Sequence, residues 1–419
     1  HEHDGVAGGC MSKAWPIAPI RAAYRGLFDG PHATPKQSDE GPVFLGIGNI
    51  TEDGHLDLAQ TKRISEDEFP RWTKRVLPQP GDIVFTYEAT LNRYAIVPNG
   101  FRGCLGRRLA LIRPNSDAVN TRWLHYYFFG PEWRGVVAAN TLSGATVERI
   151  PLSSFPDFPI RLPDLQTQRR IASILSAYDD LIENNTRRIA ILEEMARRIY
   201  EEWFVRFRFP GHEQVKRVES ELGLIPEGWK VQTVEQTFQI LGGGTPSKAE
   251  PAYWEGGTIN WYSPTDLTRA GTSFMEQSAD RITALGLAKS SAKLFPPMSV
   301  MLTSRATIGV VAINTNEACT NQGFITCLPN SDYPLWLLYH WLKANVETFI
   351  GLGTGATFKE ITKGTFKGIR LLVPPQNLVG AFSSTSEQLM LLSLNLQRKN
   401  RNLRATRDLL LPKLISGEL

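Results

Sequence analysis

Cysteine is scarce: four stand in 419 residues, at Cys10, Cys104, Cys319 and Cys327, and no two are spaced as Cys-x-x-Cys. Without that spacing neither a zinc knuckle nor a dithiol redox pair is suggested, and the light usage fits a reducing cytoplasm. No apolar run is long enough to cross a bilayer. The opening residues HEHDGVAGGC lack the basic start and apolar middle of a signal peptide. They read as a tail or tag remnant over 1–10, with Met11 a candidate start. His1 and His3 with Glu2 are a metal-type cluster, but one on such a tail. Catalytic signatures are missing as well. No Gly-Lys-Ser/Thr appears, which excludes a P-loop. No Asn-Pro-Pro-Tyr tetrapeptide appears, as amino-group methylation would want, and no nucleophile motif is recognisable. Net charge is only +4, from 46 basic and 42 acidic residues, so contacts to phosphates must come from local patches.

Glycine and proline are plentiful, 35 and 27, yet SILSAYDDLIENNTRRIAILEEM at 173–195 contains neither. The chain also repeats itself. GATVERI at 144–150 returns as GATFKEI at 355–361, 211 residues on, and with the same shift Phe155 falls on Phe366 and Pro163 on Pro374. Upstream, Trp123-Leu124 matches Trp336-Leu337 and CLGRRLALIRPN (104–115) matches CTNQGFITCLPN (319–330). PGDIVFTYEATLN (80–92) matches PMSVMLTSRATIG (297–309), and FLGIGNIT (44–51) matches WYSPTDLT (261–268). A period of this size is a duplicated domain, not a solenoid.

Each copy ends in a long amphipathic segment. Ile171, Tyr178, Asn185, Leu192 and Ile199 recur every seven residues. Ile174, Leu181 and Met195 fill three-residue steps between them, with Arg188 the exception. Shifted by 211, the seam becomes Phe382, Leu389, Leu396, Leu403 and Leu410. Two matched heptad seams are expected to cover each other as an antiparallel pair. Asp164 is placed to cap the first helix, Phe209-Pro210-Gly211 to end it, and Gly417 lies near the end of the second. The expected fold class is α+β: two similar mixed α/β domains separated by two long antiparallel coiled-coil helices, with a pseudo-two-fold internal repeat. The expected boundaries are 1–10 tail, 11–162 first domain, 163–208 first helical spacer, 209–373 second domain and 374–419 second spacer.

The combination of IPEGWK (225–230), GGGTPS (242–247), WYSPTDL (261–267), TSRATIG (303–309), NQG (321–323), the two GAT triplets and LPDLQTQRRIASILSAYDDLIENN (162–185) resembles the specificity subunit of type I restriction–modification enzymes. The likeness covers 11–419. It implies two target-recognition domains, each reading one half of a bipartite, asymmetric site in double-stranded DNA. It implies helices that set the gap and dock two methyltransferase subunits, with restriction subunits joining the assembly. The chain itself would be non-catalytic and carry no cofactor. S-adenosylmethionine, ATP and Mg would sit on the partners, whose complex would be an adenine-N6 methyltransferase and ATP-dependent endonuclease. The first copy departs from the motifs, with TYEATLN for TSRATIG and Gly-Arg-Arg for Asn-Gln-Gly. The residues alone leave two other readings open: a coiled-coil interaction scaffold without its own DNA role, and the recognition part of another methyltransferase or nuclease system.

Candidate DNA contacts follow from donor and acceptor chemistry. Arg107, with Arg108 beside it, stands opposite Gln322, with Asn321 before it; arginine suits guanine and glutamine suits adenine. Arg305 lies in a loop after a strand. Arg71, Lys74 and Arg75 flank Trp72 in a basic-aromatic cluster, and Lys289 and Lys293 form another. Thr245 and Lys248 belong to GGGTPSK, whose free amides suit a phosphate or a plain structural turn.

Overall fold

The computed structural model describes residues 15–59, 61–142, 147–355 and 359–419. The GAT triplet at 144–146, residues 356–357 of the second triplet, and Cys10 with the opening tail lie outside them. The chain forms two compact units. Unit 1 takes in the chain up to Asn184 together with Lys399–Leu419; unit 2 is Asn185–Arg398.

Unit 1 contains strands β1 (Tyr24–Asp29), β2 (Ser38–Leu45), β3 (Lys62–Arg63), β4 (Ile83–Thr86), β5 (Tyr94–Ile96), β6 (Gly103–Leu105) and β7 (Leu109–Pro114). Four make an antiparallel sheet in the order β1-β7-β4-β5. The others make a sheet β3-β2-β6, in which β2 runs antiparallel to β3 and parallel to β6. The run Ile83-Val84-Phe85 is apolar throughout because β4 is covered on both faces. Ile83 and Phe85 join the core under helices α1 (Thr121–Tyr127) and α2 (Pro131–Ala139), while Val84 joins the core between the sheets. Asn120 starts α1 by accepting from the Trp123 amide at 3.0 Å, and that cap turns Trp123, Leu124 and Tyr127 into the core.

Unit 2 repeats the plan with β8 (Gln239–Gly242), β9 (Ile259–Tyr262), β10 (Phe274–Met275), β11 (Asp280–Ile282), β12 (Val300–Thr303), β13 (Val311–Asn314), β14 (Ala318–Thr320) and β15 (Phe324–Leu328). Its main sheet is β8-β15-β12-β13-β10 and its second is β11-β9-β14, with β9 again parallel to one neighbour and antiparallel to the other. Strand β12 again splits its side chains: Val300 and Leu302 face the core beneath helix α4 (Leu335–Ala344), and Met301 faces the other. Left-handed backbone positions coincide too. Gly81, Ala89 and Asn92 have φ of 89°, 73° and 61°; 217 residues later Met298, Ala306 and Gly309 have 63°, 63° and 102°. An alanine or methionine there costs about 1–2 kcal/mol, so the turn is held by its surroundings and not by residue preference.

The long helices are α3 (Leu165–Tyr200) and α5 (Gln376–Ser416). Asp164 caps α3, accepting from the Thr167 amide at 2.9 Å. The α-helical part stops at Tyr200 in one π-helical turn, Glu201–Val205, before the Phe209-Pro210-Gly211 stop. Gly417, at φ 78°, ends α5 as a left-handed C-cap. Each unit holds a stretch of both helices, and within each the stretches run antiparallel. In unit 1 Arg407 pairs with Asp179 at 2.5 Å and the Asn400 amide donates to Ile182 O at 3.2 Å. In unit 2 Ser393 donates to Glu193 at 2.9 Å and Phe382 packs on Tyr200.

The seam corrects the sequence reading in its second column. Ile171, Asn185, Phe382 and Leu396 are buried, and Tyr178, Leu192, Ile199, Leu389, Leu403 and Leu410 are partly so. Ile174, Leu181 and Met195, however, are 37%, 48% and 47% exposed. The step from the first column is four residues, not three, and brings in Leu175, Ile182, Ile189 and Ala196 instead. That removes the Arg188 exception. On α5 the matching column is Ser386, Ser393, Asn400 and Arg407, which is polar throughout and hydrogen-bonded at each position.

Candidate nucleic-acid interface

A tight turn joins β6 to β7 in unit 1 (Gly106-Arg107-Arg108) and β14 to β15 in unit 2 (Asn321-Gln322-Gly323). The turns are hung alike: Gly106 N donates to Leu45 O at 2.8 Å, and Asn321 N to Tyr262 O at 3.0 Å. In both, a glycine from an earlier loop lies flat on the turn. A Cβ on Gly30 would stand 2.1 Å from Gly106 O, and one on Gly243 would stand 2.0 Å from Asn321 O. Only glycine permits that approach. The same loops then supply Thr34-Pro35 and Thr245-Pro246, 211 residues apart. Thr245 donates to the Gln322 side chain at 2.7 Å. In unit 1, Thr34, Arg107, Arg108 and Lys62 line a cavity of about 220 Å³ with Phe44 and Ile47.

The second shared feature is a loop tied to a strap. Tyr87-Glu88-Ala89 is bonded to 148–150 by Ala89 N to Glu148 O (2.9 Å) and Ile150 N to Tyr87 O (2.8 Å). Ser304-Arg305-Ala306 is bonded to 359–361 by Ala306 N to Lys359 O (3.1 Å) and Ile361 N to Ser304 O (3.0 Å). The Tyr87 hydroxyl donates to Arg107 O at 3.0 Å. Burial pushes its pKa up to about 12, so it stays a neutral donor that holds the turn to the loop.

The structure therefore gathers Arg107 and Arg108 at the turn of unit 1, and in unit 2 it brings Thr245, Asn321 and Gln322 together at the matching turn, with Arg305 on the adjoining loop. Asn321 itself is spent on the turn, accepting from Gly323 N at 2.8 Å. Arg107 is exposed, with no ion pair to a described residue. Lys289 and Lys293 are exposed and bracket Ser291-Ala292, on which Gly244 rests. Lys248 is differently placed from the expectation of a free phosphate contact. Its ammonium lies 3.6 Å from the Trp254 ring centre, 5.1 Å from that of Trp261 and 2.9 Å from Asp280. Those partners anchor it within its own domain while its side chain stays 57% exposed. Arg75 is likewise engaged, with Asp29 at 2.6 Å. Arg71 and Lys74 are exposed, but Trp72 between them is buried edge-on against Phe44 and offers bases no face. Residues that the sequence reading passed over are Lys62, Glu88, Arg149, Glu360 and Lys363. The last lines a cavity of about 260 Å³ with Gly243, Gln322 and Glu360. The signal for the acidic pair was present, since Glu88 and Glu360 sit inside the repeated blocks.

One backbone frame used twice, with different donors and acceptors at its tip, defines a two-headed recognition protein. The chain belongs to the family described as the type I restriction modification DNA specificity domain, whose model matches 36–194 and 226–378. It is 24% identical over 441 residues to the specificity subunit of the type I restriction enzyme HindI from Haemophilus influenzae, covering 90% of this chain and 94% of that protein. It is 32% identical over 174 residues to the MjaIX specificity subunit from Methanocaldococcus jannaschii, covering 41% and 39% respectively. Its fold is similar to the crystal structure of the type I restriction-modification S subunit from M. genitalium, with TM-score 0.56, 14% identity and 96% of each chain covered. Specificity subunits are in general non-catalytic. Among the described residues no helix is long and apolar enough to cross a membrane.

Proposed function

We propose that the chain is the DNA sequence-recognition subunit of a type I restriction–modification assembly. Each recognition domain reads one half of a bipartite, asymmetric site. The observation that carries this reading is the repeated frame whose tip differs: Arg107-Arg108 in one copy, Gln322-Gly323 in the other. Different side chains on one scaffold suit different half-sites. The helices set the gap and dock two methyltransferase subunits, which bring S-adenosylmethionine; restriction subunits bring ATP and Mg. Exposed apolar residues on α3 support docking: Ile174 and Leu181 in unit 1, Ile191 and Met195 in unit 2. The domain limits 11–162, 163–208, 209–373 and 374–419 remain the working boundaries for variants.

Single-molecule sequencing of methylated adenines in the host, with the gene intact and deleted, tests the reading. A bipartite motif that vanishes with the gene supports it. Arg107→Ala should then alter one half-site only, and an unchanged methylation pattern would remove Arg107 as a reader.

A further inference from the structure

Each domain places a carboxylate nearest the same nitrogen of one arginine. In unit 1 Arg108 Nε lies 3.5 Å from Glu88 Oε1, and in unit 2 Arg305 Nε lies 3.8 Å from Glu360 Oε2; both are ion-pair contacts without a hydrogen bond, and Arg108 Nε is buried with no hydrogen-bond partner. The couples are assembled from different places. In unit 1 the carboxylate is on the loop and the arginine on the turn. In unit 2 the arginine is on the loop and the carboxylate on the strap. Across the isolated backbone bridge the charges are therefore inverted: Glu88 stands opposite Arg149, and Arg305 opposite Glu360. Both loops pass straight into the left-handed alanine, Ala89 or Ala306. Backbone in that region persists only where the surroundings fix it, and such positions gather at working sites.

A guanidinium whose nearest carboxylate lies on the Nε side keeps both terminal nitrogens clear of it. That edge matches guanine O6 and N7 in the major groove. The carboxylate behind it attracts the Nε side and so turns the fork outward. It also offsets one positive charge, so the arginine is aimed at a base and not merely drawn to the nearest phosphate.

We propose that Arg108 and Arg305 each read a guanine in the half-site of their own domain, with Glu88 and Glu360 as positioning residues that do not touch DNA. This deepens the DNA-recognition reading and rests on it. Because one fork starts from the turn and the other from the loop, the guanine falls at a different place within each half-site.

The test uses the full chain with its methyltransferase subunits and a duplex library randomised at the two half-sites that methylation defines. Arg305→Ala should lower guanine discrimination at one base pair about 10- to 100-fold. Glu360→Gln, which keeps shape and removes the charge, should lower it about tenfold at that same base pair. The double variant should be no worse than Arg305→Ala, and the salt dependence of Glu360→Gln should be unchanged. Arg305→Lys should keep overall affinity yet lose the discrimination, which separates misreading from misfolding. Glu88→Gln and Arg108→Ala should do the same in the other half-site. Equal weakening on every duplex by Glu360→Gln, an effect at another base pair, or unaltered selectivity in all variants would overturn the inference alone. A wild-type assembly with no sequence preference would instead remove the DNA-recognition reading.

Discussion

The two units solve one packing problem in opposite ways. Where α1 meets the helices in unit 1, the Tyr126 hydroxyl donates to Asp179, which pairs with Arg407 at 2.5 Å. Those groups line a cavity of about 570 Å³ with His55, His125 and Asp408. The equivalent residues of unit 2 are Tyr339, Met390 and Ala196. Met390 and Ala196 are fully buried, and the Tyr339 hydroxyl turns aside to Ser273 at 2.9 Å. One joint is charged and hollow, the other apolar and filled. The tyrosine is common to both, and the central difference lies in two helix positions, Asp179 against Met390 and Arg407 against Ala196. A buried ion pair seldom adds net stability over packed apolar residues, but removing one partner is costly. The charged joint thus fixes geometry more than it strengthens the fold.

The sharpest way to break the comparison is Met390→Asp, which copies the unit 1 residue without its arginine. A lone carboxylate there should destabilise the chain by about 3–5 kcal/mol in urea melts. Asp179→Met runs the other way. It leaves Arg407 with Asp408 alone and should cost about 2 kcal/mol, reduced because the pair is 15% and 25% exposed. Adding Arg407→Ala to it should bring stability back to within about 1 kcal/mol of wild type or above. A double variant as weak as the single one would show that the ion pair contributes more than apolar packing can replace.

Acid should distinguish the two units less strongly. Burial holds His125 in unit 1 down to about 4 and His340 in unit 2 down to about 3. Both stay neutral when folded, whereas the unfolded chain takes up protons below about pH 6.5. Stability from these groups is therefore full above that pH and is lost as pH falls toward 4. His340→Phe should flatten the dependence of Tm on pH over this range, and an unchanged slope would count against it. The smallest expected effect on the chain itself is that of Ile174→Glu, about 0.5 kcal/mol or less. The same change should reduce co-purification with the methyltransferase subunits, and full retention would argue against docking at that face.

The duplication was legible because turns and loops preserve their punctuation while their contents drift. The second seam column was not. Ile174, Leu181 and Met195 look more core-like than Ala196, and a column of Ser386, Ser393 and Asn400 carries no hydrophobic signal. Their burial depends on what lies opposite. The fate of Lys248 was equally hidden, since Trp254, Trp261 and Asp280 reach it only after β9 and β11 have paired. The candidate readers at 107–108 and 321–322 were visible as aligned letters. The coupling of 88 to 149 and of 305 to 360 needed the bridge that joins them.

The column on α5 also makes the two halves non-interchangeable. Ser393, Asn400 and Arg407 use the Glu193 carboxylate, the Ile182 carbonyl and the Asp179 carboxylate of α3, so a protein assembled from two second halves would set Arg407 against Met390 and Asn400 against Ser393. Two first halves would meet through leucine and isoleucine, with Asp179 left without its arginine. Divergence after the ancient doubling has bound each half to the other as an obligate complement, and shuffling such genes by exchanging one half must carry the matching stretch of helix with it.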